Sequence, residues 1–94
     1  MVTFHPGHHE LHGVTVVVEA REARTYVGRF DSEDERGVHL LDVGVHQGGV
    51  EQSREEYLRR TLKFGVRAEH KHVLVPADEV LGISRLAEVG LAEG

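Results

Sequence analysis

The chain alternates short apolar runs with polar turn clusters, a pattern that predicts five β-strands. The first run, residues 14–18, contains only valine and threonine, whose branched side chains disfavour a helix. Further runs predict strands at about 25–30, 38–43, 69–75 and 79–86. Side chains alternate between the two faces of a strand. This alternation predicts a buried core made of Val16, Val18, Tyr26, Phe30, Leu40, Val75, Val80 and Ile83.

A helix is predicted between the third and fourth strands, the alternative being that this segment extends those two strands. Ser53 followed three residues later by Glu56 is typical of a capping box at a helix N-terminus, and Leu58 and Leu62 continue at helical spacing. Gly65 is expected to end this helix. We therefore expect an insertion over about 46–68 that contains the helix. The tail from residue 87 is expected to be frayed.

Length and composition restrict the class of protein. The 94 residues have room for one domain, 1–94. The absence of cysteine excludes disulfides and thiolate metal sites. No apolar run approaches the roughly 20 residues that a membrane-spanning helix needs, and the first residues lack a signal-peptide pattern. We therefore expect a cytoplasmic protein with no membrane association.

Charge is distributed unevenly. The formal net charge is −5, which argues against broad nonspecific binding to phosphate backbones. Residues 54–72 are the exception, since they carry six basic and three acidic side chains. A basic segment within an acidic domain can mark a polyanion site, and Arg59, Arg60 and Lys63 are the candidates to contact RNA there. The alternative is that these charges belong to an ordinary solvated helix.

Histidine is the one unusually frequent residue type, with eight copies. His5, His8, His9 and His12 cluster before the first strand, and His8 and His12 could share a metal ion if that segment were helical. Pro6 and Gly7 argue against a long helix there, so we expect a scatter of surface histidines, with no metal site and no cofactor. No Ser-His-Asp or paired-carboxylate arrangement stands out. We therefore do not expect an enzyme.

The order of residues over the first strands resembles the first signature of the Sm/LSm family. The matching pattern is a glycine, alternating hydrophobic residues, then an aromatic residue, a glycine, a hydrophobic residue and an aspartate. Here these positions hold Gly13, Val16, Val18, Ala20, Ala23, Tyr26, Gly28, Phe30 and Asp34. Residues 74–83 match the second signature in outline. Together the two segments cover about 40 of the 94 residues.

This resemblance implies an all-β fold, an Sm-like (SH3-type), strongly bent five-stranded antiparallel barrel, here with a helical insertion between strands 3 and 4. It also implies an RNA pocket in the turn that contains Asp34 and Arg36. Two positions depart from the family pattern. Val38 stands where the family has the asparagine that its aspartate orients, and Pro76-Ala77 stands where the family has an Arg-Gly pair.

The resemblance further implies self-assembly. The fourth and fifth strands are expected to be the edges of the sheet, and unpaired edges favour pairing with another copy, which in the family closes rings. Three functions remain open from the sequence. They are an RNA-binding ring-type homo-oligomer, a protein-interaction or assembly module on the same fold without nucleic acid, and a metal-binding sensor that uses the N-terminal histidines.

Overall fold

The computed structural model describes residues 9–48 and 52–93. The strands are β1 (Thr15–Ala20), β2 (Arg24–Asp34), β3 (Gly37–Gln47), β4 (His70–Pro76) and β5 (Val80–Arg85). The helices are α1 (Arg54–Phe64), between β3 and β4, and α2 (Leu86–Glu93). Single turns of 3-10 helix precede β1 and link β4 to β5. The strands form one antiparallel sheet in the order β4-β3-β2-β1-β5, which agrees with the predicted all-β class and with the predicted edge strands.

The β2–β3 hairpin is longer than the sequence predicts. Both strands have 11 residues, and only Glu35 and Arg36 remain between them as the turn. The acidic cluster after Phe30 therefore extends β2 as a largely exposed ladder, although its composition is typical of a loop. At the other end β3 continues to Gln47, so the segment between β3 and β4 begins at residue 48 instead of about 46.

The first core lies on the face of the sheet that the strand pattern predicts. Six of the eight predicted core residues are buried, and Val80 and Ile83 are half-buried against the same cluster. Val38 and Val43 of β3 are also buried in it, as is Leu11 from the turn before β1. Val18 has no exposed surface, as its position in β1 predicts.

A second, smaller core lies on the opposite face of the sheet. Val17 of β1 and Val27 of β2 are fully buried there beneath Leu58 of α1. Leu86 and Val89 of α2 pack against the same cluster. Both faces of β1 are therefore covered, which explains why its valines form a continuous run without polar residues between them.

The helix α1 begins at the predicted capping box. The Ser53 hydroxyl accepts a hydrogen bond from the Glu56 amide at 3.1 Å, and the Glu56 carboxylate accepts one from the Ser53 amide at 3.2 Å. Arg54 attaches this end of the helix to β1, because its Nε donates to the Glu19 carboxylate at 2.6 Å. At the other end the Gly65 amide donates to the Thr61 carbonyl.

The residue that opens β3 has to be glycine. Gly37 adopts φ +146°, and a Cβ atom there would lie 2.0 Å from the carbonyl oxygen of Val75 on β4. Its register partner is Pro76, so β4 approaches the hairpin closely at this point. The absence of a side chain thus lets the β2–β3 turn and the end of β4 lie together.

Candidate functional site

The β2–β3 turn is organised by the Asp34 carboxylate. Its Oδ1 accepts hydrogen bonds from the backbone amides of Arg36 at 2.9 Å and Gly37 at 3.3 Å. Its Oδ2 lies 3.1 Å from Nε2 of His39. The hydrogen bond from the Arg36 amide lowers the pKa of the Asp34 carboxyl, and the contact with His39 lowers it further. Asp34 therefore stabilises the turn and orients a histidine.

Asp34 orients His39, which was not a candidate site residue from the sequence. His39 of β3 stacks on His72 of β4 with ring centroids 5.4 Å apart, and His39 Nδ1 lies 3.2 Å from His72 Nε2. With Nε2–H of His39 donating to Asp34, its Nδ1 accepts from Nε2–H of His72. Val38, at the family's asparagine position, is buried in the first core and offers no polar group.

The cationic side chains of α1 that were predicted to contact RNA lie away from the β2–β3 turn. Arg59, Arg60 and Lys63 are exposed, and none of them makes an ion pair within the described part of the chain. Lys63 Nζ lies 5.4 Å from the centroid of the Phe64 ring, which is 73% exposed. Arg60 is close to the C-terminal end of β3, whereas Asp34 and Arg36 adjoin its first residue. The five predicted RNA-contacting residues thus form two separate groups at opposite ends of β3.

A cavity of about 550 Å³ lies where the end of β3, the helix α1 and the segment after the helix meet. Its walls combine aromatic, cationic and polar side chains. The lining residues that carry polar, charged or aromatic groups include His46, Gln47, Gln52, Tyr57, Arg60, Thr61, Phe64, Arg67 and Glu69. Only Arg60 among these was a candidate from the sequence, because the other residues come from separate elements that the fold brings together.

His46 is a nearly buried polar side chain in this wall. It is 5% exposed, and its Nε2 lies 2.6 Å from the carbonyl oxygen of Gln52. A carbonyl can only accept, so Nε2 carries a proton, and in the neutral ring the lone pair is then on Nδ1. That Nδ1 atom is buried and has no hydrogen-bond partner among the described residues.

Tyr57 of α1 covers the His46 ring. Their centroids are 5.0 Å apart at an interplanar angle of 23°. Burial raises the pKa of the Tyr57 phenol, and the nearby Glu69 carboxylate raises it further. Gly44 of β3 makes this packing possible, since a Cβ atom there would lie 2.7 Å from the Tyr57 hydroxyl oxygen. The phenol therefore stays neutral as a hydrogen-bonding group beside the cavity.

The outer edges of β4 and β5 are two further candidate interaction surfaces. The amides of Glu69 and Ala77, which flank β4, both donate to the β3 side. Because backbone groups alternate in direction along an antiparallel ladder, the amides of His72 and Leu74 point to the open edge. Pro76, which has no N–H, occupies the next position of the same series.

The same alternation indicates which backbone groups of β5 face its outer edge. The Val14 carbonyl accepts from Phe30 of β2, so Val16 directs its backbone groups to β2 as well. Its partner on β5, Arg85, therefore directs its amide away from β1, towards the open edge. Leu81, at the register shift in β5, is 65% exposed. No strand of residues 9–48 or 52–93 pairs with either outer edge.

Histidine, aspartate and glutamate side chains are spread over the described residues. No group of three or more histidine, aspartate or glutamate side chains there is arranged to hold a metal ion. Of the N-terminal histidines, His5 and His8 lie outside the described residues, and His12 bonds the Asp31 carbonyl at 2.8 Å. None of the described helices has the length and apolar character needed to cross a bilayer.

Comparisons with known proteins inform the fold alone. No protein-family model matches the chain, and no curated protein matches it. Among solved structures, it is similar to a chain in the crystal structure of the NatC complex bound to CoA. The TM-score is 0.56 at 18% sequence identity, and the match covers 95% of this chain and 97% of that chain. The whole chain thus shares its fold with a component of similar length from a multisubunit complex.

Proposed function

We propose that the protein is an Sm-like assembly module that forms a ring-type homo-oligomer, with β4 of one copy paired to β5 of the next. The observation that carries the proposal is the strand order, which leaves these two strands as outer edges with backbone amides directed outwards. Unpaired amide and carbonyl groups along an edge are a template for strand addition. The proposal assigns no catalytic step to the protein.

Three features support assembly through the edges of the sheet. The two strands lie at opposite edges of the same sheet. Pairing β4 of one copy with β5 of the next therefore repeats the same contact from copy to copy, and the assembly closes into a ring when the rotation between copies permits. Leu81 adds an exposed apolar side chain to the β5 edge. The similar chain in the NatC structure is itself part of a complex, which is in keeping with a fold used for assembly.

The test blocks one edge at a time. His72→Pro removes an outward amide of β4, and Leu81→Asp with Arg85→Pro places a charge and removes an amide at the β5 edge. The matched controls are the alanine substitutions His72→Ala and Leu81→Ala with Arg85→Ala, which keep the backbone donors. Multi-angle light scattering at micromolar concentration measures the mass, and circular dichroism confirms that each variant is folded.

We expect the unaltered protein and both alanine controls to assemble, and each blocked variant to be a monomer of 10.5 kDa. An equimolar mixture of the two blocked variants should form a heterodimer, because each retains the edge that the other lacks. A monomeric unaltered protein contradicts assembly. A blocked variant that dimerises by itself shows pairing between like edges and contradicts the ring.

A second candidate, binding of single-stranded RNA, is favoured by the surface of α1. Arg60, Lys63 and Phe64 lie at helical spacings that place them on one side of the helix, so two cations adjoin an exposed ring. Cations that follow the phosphates and rings that stack on bases are the usual features of such sites.

Neutralising Arg59, Arg60 and Lys63 to glutamine tests the RNA candidate. If all three contact phosphates, the slope of log affinity against log salt falls by about 2. Fluorescence anisotropy with labelled oligo-uridine and oligo-adenine at several salt concentrations measures this slope. If Asp34→Ala abolishes uridine binding while the triple variant binds normally, the RNA site is the turn and not the helix.

A further inference from the structure

Two histidine rings meet on the face of the sheet opposite the first core. Val38 and Leu40, the neighbours of His39 in β3, are buried in that core, so His39 points to the other face. The same alternation along β4 places His72 on that face, because Val73 packs against the core. Nδ1 of His39 lies 3.2 Å from Nε2 of His72, and this contact is at the exposed surface of the sheet.

The distance between the two nitrogens is close to the one that a chelated metal ion imposes. Zn²⁺ binds imidazole nitrogens at about 2.0–2.1 Å in tetrahedral geometry, which places two such ligands about 3.3 Å apart. The strands already hold the rings at this distance, since His39 pairs with Leu74 and His72 pairs with Leu41 in the β3–β4 register. Chelation therefore needs no movement of the strands. It needs only a turn of the exposed His72 ring that brings both lone pairs onto one ion.

Asp34 prepares His39 as a metal ligand. Its Oδ2 lies 3.1 Å from Nε2 of His39, and its Oδ1 is held by the backbone amides of Arg36 and Gly37. An ionised carboxylate only accepts, so Nε2 carries a proton and the lone pair of the neutral ring is on Nδ1, which faces His72. Histidines that bind metal ions almost always donate their other N–H to such an acceptor, which orients the ring and makes it a stronger ligand.

The surrounding charge favours a cation. Residues 31–36 contain four carboxylates and one arginine, which gives this turn a formal charge of −3. Lys71 lies next to His72 in the chain, but the alternation along β4 directs it to the opposite face. A negative potential raises the local concentration of cations. The imidazole nitrogens then select among them, because zinc, copper and nickel accept such ligands whereas magnesium and calcium prefer oxygen.

We propose that His39 and His72 chelate a divalent transition-metal ion through Nδ1 and Nε2, with Asp34 as the positioning residue for His39. The metal replaces the proton of the hydrogen bond between the rings. In the neutral His72 ring that proton moves from Nε2 to Nδ1 through solvent, so neither ring changes its charge. Water completes the coordination of the ion. The site lies on a face of the sheet and not on its outer edges, so it stands or fails separately from ring assembly.

Isothermal titration with Zn²⁺ tests the site. The full chain is used with glutamine at the four N-terminal histidines, which could bind metal themselves: His5, His8, His9 and His12. We expect one ion to bind with a dissociation constant between about 1 and 200 µM, since the site supplies half the protein ligands of a structural zinc site. A dissociation constant weaker than about 1 mM overturns the proposal, as does equal affinity for Mg²⁺, which would show binding by the carboxylates of the turn.

Variants of the same chain test which residues bind. His39→Gln and His72→Gln should each weaken zinc binding at least about tenfold, and Asp34→Asn about tenfold. His70→Gln is the matched control, because His70 is an exposed histidine two residues from His72 on the same face of β4. Equal losses at His70 and His72 would show a general attraction of exposed histidines and overturn the assignment. Circular dichroism confirms that each variant is folded.

Nuclear magnetic resonance of the histidine ring nitrogens gives a direct signature. Zinc should change the ¹⁵N shifts of Nδ1 of His39 and Nε2 of His72, while Nε2 of His39 keeps the proton that it donates to Asp34. Shifts that are confined to other histidines would place the metal elsewhere and overturn the proposal.

Discussion

Replacing Leu58 by alanine should uncouple α1 from the sheet. Leu58 has no exposed surface and is the one fully buried aliphatic side chain that α1 places against Val17 and Val27 within the described residues. The substitution removes three buried carbon atoms. At about 0.8 kcal/mol for each, the lost transfer free energy is about 2.4 kcal/mol, and the cavity left behind raises the total to about 3–4 kcal/mol. Domains of this kind have total stabilities of only about 5–15 kcal/mol.

Urea unfolding measures this loss as a fall of about 2 M in the transition midpoint. Leu62→Ala is the matched control, because Leu62 belongs to the same helix but is 40% exposed, so the same transfer free energy scaled to its buried fraction is only about 1.4 kcal/mol. Protein concentration is held equal, since self-association contributes to apparent stability. Similar losses for the two variants would refute the docking of α1 through Leu58.

Three further substitutions test local features of the fold. Gly37→Ala should destabilise the protein by about 2 kcal/mol or more, measured by urea unfolding, since a Cβ atom would meet the Val75 carbonyl at 2.0 Å. Ser53→Ala should lose about 1 kcal/mol in the same assay, because it removes the acceptor for the Glu56 amide. The lowered pKa of Asp34 means that its ionised form stabilises the folded state. The stability difference between the protein and Asp34→Asn, measured by thermal unfolding, should therefore shrink as the pH falls below about 4.

The candidate sites depend on contacts between residues far apart in the sequence. His39 and His72 are 33 residues apart and meet because β3 and β4 pair in one register. His46 contacts Tyr57 because α1 folds back over the end of β3. Neither pair leaves a local pattern that identifies it, so only the abundance of histidine could have drawn attention to these positions.

Local sequence patterns by themselves determined the elements that are stabilised by interactions within the element. The β-branched run of β1 specifies a strand wherever that segment lies, and the reciprocal bonds of Ser53 and Glu56 need only the first turn of α1. Tertiary structure decided the rest. The acidic end of β2 is a strand because β3 lies beside it, and α2 is a helix over residues expected to be frayed because Leu86 and Val89 cover the second face of the sheet. The physical reason is that pairing and burial energies outweigh weak local preferences, and they exist only when distant segments meet.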